Sequence, residues 1–263
     1  MSDPAAIWRR LAGLTPARIG LGRVGSGLPT REVLRFGLDH AQARDAVHAP
    51  LDEETLTRGI GDLGFATCRV SSQAPDRATY LRRTDLGRRL APDDRAALEA
   101  EAGQADLALV VADGLSARAV HENAVPLLAA FRRHAEKAGW ELAPVVIARQ
   151  ARVALGDEIG TALAARAVAV LIGERPGLSS PDSLGIYLTF GPRLGRSDAE
   201  RNCISNVRAA GFTHDLAAFK LDWLLTRAFN LGLTGVALKD ESDQVLVGGA
   251  QAAALPSRPD GEV

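Results

Sequence analysis

The sequence predicts an α/β fold: a mostly parallel sheet flanked by helices and preceded by a smaller, largely helical N-terminal region. From residue 104 onward, apolar runs of strand length alternate with segments of helical periodicity. Residues 1–103 contain little strand-like pattern. The 263 residues are 46% hydrophobic and 24% charged, a composition that supports a sizeable core. We therefore divide the chain into an N-terminal region (1–103), an α/β domain (104–250) and a flexible polar tail (251–263).

The N-terminal region is predicted to contain two helices and a small hairpin. Residues 30–47 place apolar side chains at helical intervals. Residues 95–102 follow a Pro-Asp-Asp sequence that is typical of a helix start. Between these helices, the short apolar runs 65–70 and 79–81 have the length of paired strands, which predicts a hairpin.

The α/β domain is predicted from four apolar runs, each long enough for a buried strand. The predicted strands are Leu107–Ala112, 144–148, 167–172 and Leu184–Phe190. The predicted helices between and after them are Ala117–Ala138, 155–165, 198–209 and 214–230. This alternation favours a mostly parallel, Rossmann-like sheet with helices on both faces. In such a sheet, ligands bind beyond the carboxyl ends of the strands.

Charge and cysteine content argue against several classes of function. The net charge of -1 creates no overall field that would attract nucleic acid or an anionic membrane. No apolar stretch approaches the roughly 20 residues of a membrane span. Cys68 and Cys203 are too few for a disulfide framework, and no Cys/His cluster has metal-ligand spacing. We expect a cytoplasmic protein without a metal site and without a nucleic-acid or membrane partner.

Gly20, Gly22 and Gly25 form a Gly-x-Gly-x-x-Gly sequence that has two interpretations. In dinucleotide-binding folds these glycines lie between a strand and a helix, with an acidic residue about 20 positions further on. Here too few residues precede Gly20 for a strand, and Pro29 delays the following helix. The sequence therefore favours a tightly turned connection over a stand-alone nucleotide-binding enzyme.

Three polar features are candidates for ligand contact. Asp113 and Ser116 lie in a strand-to-helix turn, which either presents N–H groups to a ligand or uses a side chain to cap the helix. Glu174 comes directly after a central strand, a position that favours ligand binding over a surface ion pair. Cys203 is a lone cysteine, more often a small apolar residue than a nucleophile. None of these residues forms a self-sufficient catalytic set.

Long segments of the chain resemble the small subunit of ethanolamine ammonia-lyase. The similarity is nearly continuous from about Thr15 to Asp240 and excludes the tail. It includes the unusual sequences VVADGLSARAV, GERPGLSSPDSLGIYLTF and RLGRSDAERNCISNV. The segments that carry the resemblance are residues 15–47, 80–90, 110–120, 173–190 and 193–207.

The resemblance implies one subunit of an adenosylcobalamin-dependent lyase that converts ethanolamine to acetaldehyde and ammonia by a radical mechanism. The family's cofactor contacts correspond here to Val153, Glu174 and Cys203. The cofactor, which carries the cobalt, is then held at the interface with a large subunit. The chain lacks a D-x-H-x-x-G sequence, which fits base-on cobalamin. Ethanolamine binds mainly to the large subunit, so no catalytic residue is expected in this chain.

The resemblance also bears on partners and location. Residues 1–103, and residues 18–29 in particular, are expected to contact the large subunit. Some family members have a longer N-terminal extension associated with a bacterial microcompartment, whereas 14 residues precede Thr15 here. The cytoplasm is therefore the expected location, with a microcompartment as the alternative. The alternative function is a non-catalytic cobalamin-binding or assembly protein of the same fold.

Overall fold

A six-stranded mixed sheet lies at the centre of the computed structural model, which describes residues 4–15 and 17–247. Its strands are β1 (Thr67–Ser71), β2 (Leu107–Ala112), β3 (Val145–Arg149), β4 (Ala167–Gly173), β5 (Leu184–Phe190) and β6 (Asn202–Val207). Their order in the sheet is β1-β3-β2-β4-β5-β6. The first four strands in this order are parallel to one another, whereas the pairings of β4 with β5 and of β5 with β6 are antiparallel.

Helices cover both faces of this sheet. The helices of the described residues are α1 (Pro4–Ala12), α2 (Thr30–His48), α3 (Glu53–Asp62), α4 (Arg77–Arg82), α5 (Pro92–Ala100), α6 (Ala117–Ala138), α7 (Leu155–Ala162), α8 (His214–Leu231) and α9 (Ser242–Val247). Single 3-10 turns lie at Leu86–Arg88 and Asp198–Glu200. α3, α6 and α8 pack on one face of the sheet, and α5 and α7 pack on the other. No helix of the described part combines the length and the apolar character needed to cross a bilayer.

The central strands form because nearly every side chain in them can be buried. All six residues of β2 and all seven residues of β4 are buried. In β2, Leu107, Leu109 and Val111 enter the core under α6 and α8. Ala108 and Val110 enter the core under α7, because successive strand residues point to opposite faces. Continuous apolar runs of this kind are typical of strands that are covered on both sides.

The α/β class predicted from the sequence is confirmed, and three of its elements have the predicted bounds. Leu107–Ala112, Leu184–Phe190 and Ala117–Ala138 coincide with β2, β5 and α6. Residues 1–103 contribute α1 to α5 and also β1, which joins the sheet beside β3. The Rossmann-like assignment and the division into two domains stay predictions. The predicted flexible tail at 251–263 lies outside the described residues.

The predicted N-terminal hairpin is wrong. The first of its two runs overlaps β1, but this strand pairs in parallel with β3. The second run, residues 79–81, lies within α4. This helix begins after Asp76, whose carboxylate accepts a hydrogen bond from the Thr79 N–H at 2.7 Å. The aspartate cap satisfies a helix donor that has no partner within the helix, and it outweighs the weak strand signal of a three-residue run.

The predicted helix at 198–209 is also wrong, because a strand follows its first turn. Ser197 and Glu200 form a capping box that begins a single 3-10 turn. Arg201 then turns inward, and its guanidinium donates to both carboxylate oxygens of Asp157 at 2.7 Å. The chain continues as β6, which pairs with β5. The pairing of β6 with β5 is the second antiparallel pairing of the sheet.

Candidate functional site

One cavity lies where the carboxyl ends of β2, β3 and β4 meet. Its volume is about 410 Å³. Ligands bind at this edge of open α/β sheets, because the loops that leave the strands converge there. We call it the edge cavity, and it is lined by Tyr80, Gly114, Leu115, Arg152, Val153, Ile172, Gly173, Glu174, Arg175 and Tyr187.

The turn between β2 and α6 forms one wall of the edge cavity and caps the helix. Ser116 Oγ accepts a hydrogen bond from the Ala119 N–H at 3.1 Å, which confirms the capping interpretation of this turn. The Leu115 N–H already donates to the Gly173 carbonyl at 2.9 Å. Gly114 has φ +55°, and a Cβ at this position would lie 2.2 Å from the Gly173 oxygen. The turn therefore packs directly against the end of β4, and only glycine fits there.

Asp113, immediately after β2, holds the neighbouring loop that contains Val153. Its carboxylate accepts hydrogen bonds from the backbone N–H of Gln150 at 2.9 Å and of Ala151 at 3.0 Å. Gln150 has φ +51°, an uncommon backbone conformation for a residue other than glycine. The Tyr80 hydroxyl donates to the Ala151 carbonyl at 3.1 Å. These contacts fix the path of the loop as it leaves β3 and place Val153 against the edge cavity.

Buried charges surround this loop. Burial raises the pKa of the Asp113 carboxyl, while the two loop N–H groups and Arg77 act to lower it. Arg77 Nη1 lies 3.4 Å from Asp113 Oδ2 and donates to the Gly114 carbonyl at 2.8 Å. The guanidinium groups of Arg77 and Arg152 lie over the Tyr80 ring, 4.8 and 4.6 Å from its centroid. Chiefly because it is buried, the pKa of Tyr80 is raised to about 12, so its hydroxyl remains a donor.

Glu174 follows β4 and lines the edge cavity with its carboxylate held in place. Ser183 Oγ donates to Glu174 Oε2, and the Asn206 N–H donates to the same oxygen at 3.3 Å. Gly185 leaves room for the side chain, because a Cβ there would lie 2.9 Å from Glu174 Oε1. No donor among the described residues pairs with Oε1. This oxygen is therefore able to accept a hydrogen bond from a ligand.

Cys203 lies beside the edge cavity and outside its lining. It is opposite Tyr187 in the pairing of β5 with β6, and the two side chains share a hydrogen bond. Although the residue is exposed, partial burial of the thiol raises the pKa of Cys203, and the Tyr187 hydrogen bond only partly offsets this effect. The thiol is therefore protonated at neutral pH and is a weak nucleophile.

Two of the three residues predicted to contact a cofactor thus meet in one cavity. Val153 and Glu174 line the edge cavity, and Cys203 lies next to it. Whether these residues bind a cofactor stays a prediction. The sequence reasoning missed Tyr80 and Arg152 as lining residues. Arg152 adjoins Val153 in sequence, but its guanidinium lies over the Tyr80 ring. These two residues are far apart in sequence, so no local sequence pattern predicts their contact.

The Gly-x-Gly-x-x-Gly sequence lies in the connection between α1 and α2. No strand precedes it in the described part of the N-terminus, and a single-residue bridge joins Val24 to Gly27. A Cβ on Gly20 would lie 2.8 Å from Trp8 Cβ, so this glycine lets the connection pack against α1. The geometry is that of the tightly turned connection expected from the sequence. Within residues 4–15 and 17–247, no three His, Cys, Asp or Glu side chains are grouped to hold a metal ion.

The fold and the edge cavity define a class of protein: an α/β protein with a cavity at the carboxyl edge of its sheet, where ligands bind in such folds. Sequence comparison identifies the family. The sequence model described as "Ethanolamine ammonia-lyase light chain (EutC)" matches residues 5–239. The chain belongs to this family, as the resemblance in its motifs predicted.

Individual relatives agree with this assignment, and each is described as "Ethanolamine ammonia-lyase small subunit". The protein of Xanthomonas campestris pv. campestris (strain ATCC 33913) is 53% identical over 251 residues, which cover 94% of this chain and 92% of that protein. The protein of Rhodopseudomonas palustris (strain BisA53) is 54% identical over 235 residues, 89% of this chain and 90% of that protein. The protein of Azotobacter vinelandii is 51% identical over 247 residues, 92% of each chain.

Proposed function

We propose that this chain is the small subunit of an adenosylcobalamin-dependent ethanolamine ammonia-lyase and that its edge cavity holds part of the cofactor. The observation that carries the proposal is the meeting of Val153 and Glu174 in one cavity, with Cys203 beside it. These residues come from three separate segments, so only the folded chain brings them together. Membership of the ethanolamine ammonia-lyase light chain family also supports the proposal.

The chemistry of the edge cavity fits the periphery of a cobalamin. The corrin ring carries neutral primary amides, which require both acceptors and donors. Glu174 Oε1 can accept from such an amide. A cavity of about 410 Å³ admits only one side of the cofactor, so a second chain has to cover the rest.

Adenosylcobalamin supplies the radical that starts the conversion of ethanolamine to acetaldehyde and ammonia. The residues of this chain orient the base-on cofactor and exclude water from one side of it. Val153, Glu174 and Cys203 are therefore proposed as contact residues and not as catalytic residues. Ethanolamine binds mainly to the large subunit.

An exposed apolar surface on the N-terminal segment is the proposed contact with the large subunit. Leu34 is 69% exposed and Leu38 is 59% exposed, and the two side chains lie one turn apart on α2. Concentrated apolar exposure of this kind is typical of an interface. We call this the N-terminal apolar surface, and its exposed side chains are Ile7, Trp8, Leu11, Leu14, Val24, Leu28, Val33, Leu34, Phe36 and Leu38. Val24 and Leu28 of this surface lie within residues 18–29, the segment for which the resemblance implies contact with the large subunit.

Acetaldehyde release from ethanolamine tests the proposal. The large subunit and adenosylcobalamin are incubated with this chain, without it, or with a known small subunit as the positive control. We expect turnover only when a small subunit is present. Turnover with the known small subunit but not with this chain would contradict the proposal and favour the non-catalytic cobalamin-binding or assembly protein. The proposed location is the cytoplasm, with a bacterial microcompartment as the alternative.

A further inference from the structure

The edge cavity contains more positive than negative side chains. Arg152 and Arg175 line it, and neither has a carboxylate within ion-pair distance in the described part of the chain. Glu174 is the one acidic residue in the lining, and its Oε2 is already hydrogen-bonded to Ser183 and Asn206. Among the described residues, the lining therefore has two positive side chains and one negative side chain.

Arg152 is held in one orientation before any ligand arrives. Its guanidinium lies 4.6 Å from the centroid of the Tyr80 ring, and Nη2 donates to the Tyr80 carbonyl at 3.0 Å. The backbone N–H of Arg152 donates to the Gly87 carbonyl at 2.9 Å. A Cβ on Gly87 would lie 3.2 Å from Arg152 Cγ, so the stem of the side chain is also closely packed. Nε remains buried without an acceptor among the described residues.

We propose that Arg152, assisted by Arg175, binds the phosphodiester in the nucleotide tail of the cobalamin. The amides of the corrin periphery are neutral, so the phosphodiester is the anionic group that the cofactor offers to a protein. An arginine guanidinium matches phosphate oxygens in shape and charge and is the preferred side chain for such contacts. This inference rests on the proposed function, since it assigns a part of the same ligand to a part of the same cavity.

Equilibrium dialysis of the reconstituted two-subunit complex tests the inference with three ligands. Adenosylcobalamin has the phosphodiester and the base, adenosylcobinamide phosphate has a phosphate without the base, and adenosylcobinamide has neither. Binding is measured by corrin absorbance at fixed ionic strength. For Arg152→Met we expect the affinity to fall about tenfold to a hundredfold for the two phosphate-bearing ligands. The affinity for adenosylcobinamide should change less than about twofold, because that ligand lacks the group that Arg152 contacts.

Arg149→Met is the matched control. Arg149 lies three residues before Arg152 and pairs with Glu53 outside the edge cavity, so all three affinities should stay at the wild-type value. Arg152→Lys keeps the charge but loses the planar fork, and it should recover part of the affinity for the two phosphate-bearing ligands.

The remaining outcomes separate the inference from the function on which it rests. An equal loss for all three ligands would make Arg152 a merely structural residue, and a loss for adenosylcobalamin alone would assign it to the base. Either result, or unchanged affinities, overturns the inference while the proposed function stands. If the wild-type complex, with assembly confirmed, binds none of the three ligands, the proposed function itself fails.

Discussion

The two carboxylate oxygens of Glu174 differ in their hydrogen-bond partners. Ser183 and the Asn206 N–H both donate to Oε2, whereas Oε1 has no donor among the described residues. The two hydrogen bonds to Oε2 orient the Glu174 side chain, and Oε1 can accept a hydrogen bond from a donor group of a ligand.

Replacing Glu174 by alanine should weaken cofactor binding without unfolding the chain. A hydrogen bond to a charged group contributes about 1.5–3 kcal/mol, so the affinity for adenosylcobalamin should fall about tenfold to a hundredfold. The measurement is equilibrium dialysis with the assembled two-subunit complex. Glu99→Ala is the control, because Glu99 is exposed on α5, pairs with Arg95 and lies outside the edge cavity. Unchanged affinity for Glu174→Ala in a correctly assembled complex would remove Glu174 from the binding site.

The two thiols of the native chain should react slowly with iodoacetamide at pH 8. Burial raises the pKa of Cys68 to about 11 and raises the pKa of Cys203 as well. Because only the thiolate reacts, raising the pKa lowers the reactive fraction at any pH below it. The alkylation rate of the native chain should therefore rise at higher pH than the rate of the denatured chain. Identical pH profiles for the two states would contradict the pKa assignment.

Single residues differ in how far the sequence predicts them. The position of Glu174 follows from an apolar run that ends just before it, since the end of a central strand can be read from composition alone. The position of Arg152 over Tyr80 cannot be read in this way, because residues far apart in sequence meet only after β3 and α4 have packed. A contact between residues from distant segments depends on the fold, and the sequence of neither segment alone predicts it.

At the scale of elements, the turn between β2 and α6 is constrained by its approach to β4. Gly114 and Gly139 both have positive φ, at 55° and 70°. A Cβ on Gly114 would meet the end of β4 at 2.2 Å, whereas a Cβ on Gly139 would meet nothing within 4 Å. Comparing alanine substitutions at Gly114 and Gly139 therefore separates the energetic penalty of a positive φ from the penalty of a steric clash.

Gly114→Ala should destabilise the chain more than Gly139→Ala does. The conformational penalty of a positive φ is about 1–2 kcal/mol for alanine and applies to both variants. Gly114→Ala should lose about 1–3 kcal/mol more, the range observed for overpacking an interior. Urea denaturation of both variants measures the difference in the free energy of unfolding. Equal destabilisation would mean that the turn moves away from β4 without penalty.

The bounds of an element were predicted correctly where local turn or cap residues end it. β2, β5 and α6 have the predicted bounds because their apolar patterns stop at turn or cap residues. The segment at 198–209 begins with a capping box, which is typical of a helix start. The buried ion pair between Arg201 and Asp157 instead directs the following residues into strand β6. Buried ion pairs between distant residues override local propensity, and a single sequence does not reveal them.

At the scale of the whole molecule, apolar side chains are exposed mainly in the N-terminal segment. The N-terminal apolar surface contains ten of the fourteen large apolar side chains that are exposed in the described residues. The α/β core, by contrast, buries its apolar side chains on both faces of the sheet. The sequence pattern of α2 predicts a helix but does not reveal that its apolar side chains remain exposed, because helical spacing shows which residues share a face and not what packs against that face.

Leu38→Asp should prevent association with the large subunit and leave the fold intact. The side chain is 59% exposed, so a charge is tolerated in the free chain but would be buried without a partner in an interface. Val236→Asp is the control, because Val236 is 82% exposed and lies outside the N-terminal apolar surface. Size-exclusion chromatography of the mixed subunits measures association, and circular dichroism checks the fold. Co-elution of Leu38→Asp at wild-type strength would exclude Leu38 from the interface.

The buried carboxylate of Asp113 joins two walls of the edge cavity, since it accepts from the loop after β3 while it belongs to the turn after β2. Neither wall can move away without leaving the other with an unpaired buried group. Fluctuations that admit water should therefore open both loops as one cooperative unit. A cavity built in this way orders little additional chain when a ligand enters. Under the proposed function, most of the conformational entropy lost on binding then comes from the cofactor and from the large subunit.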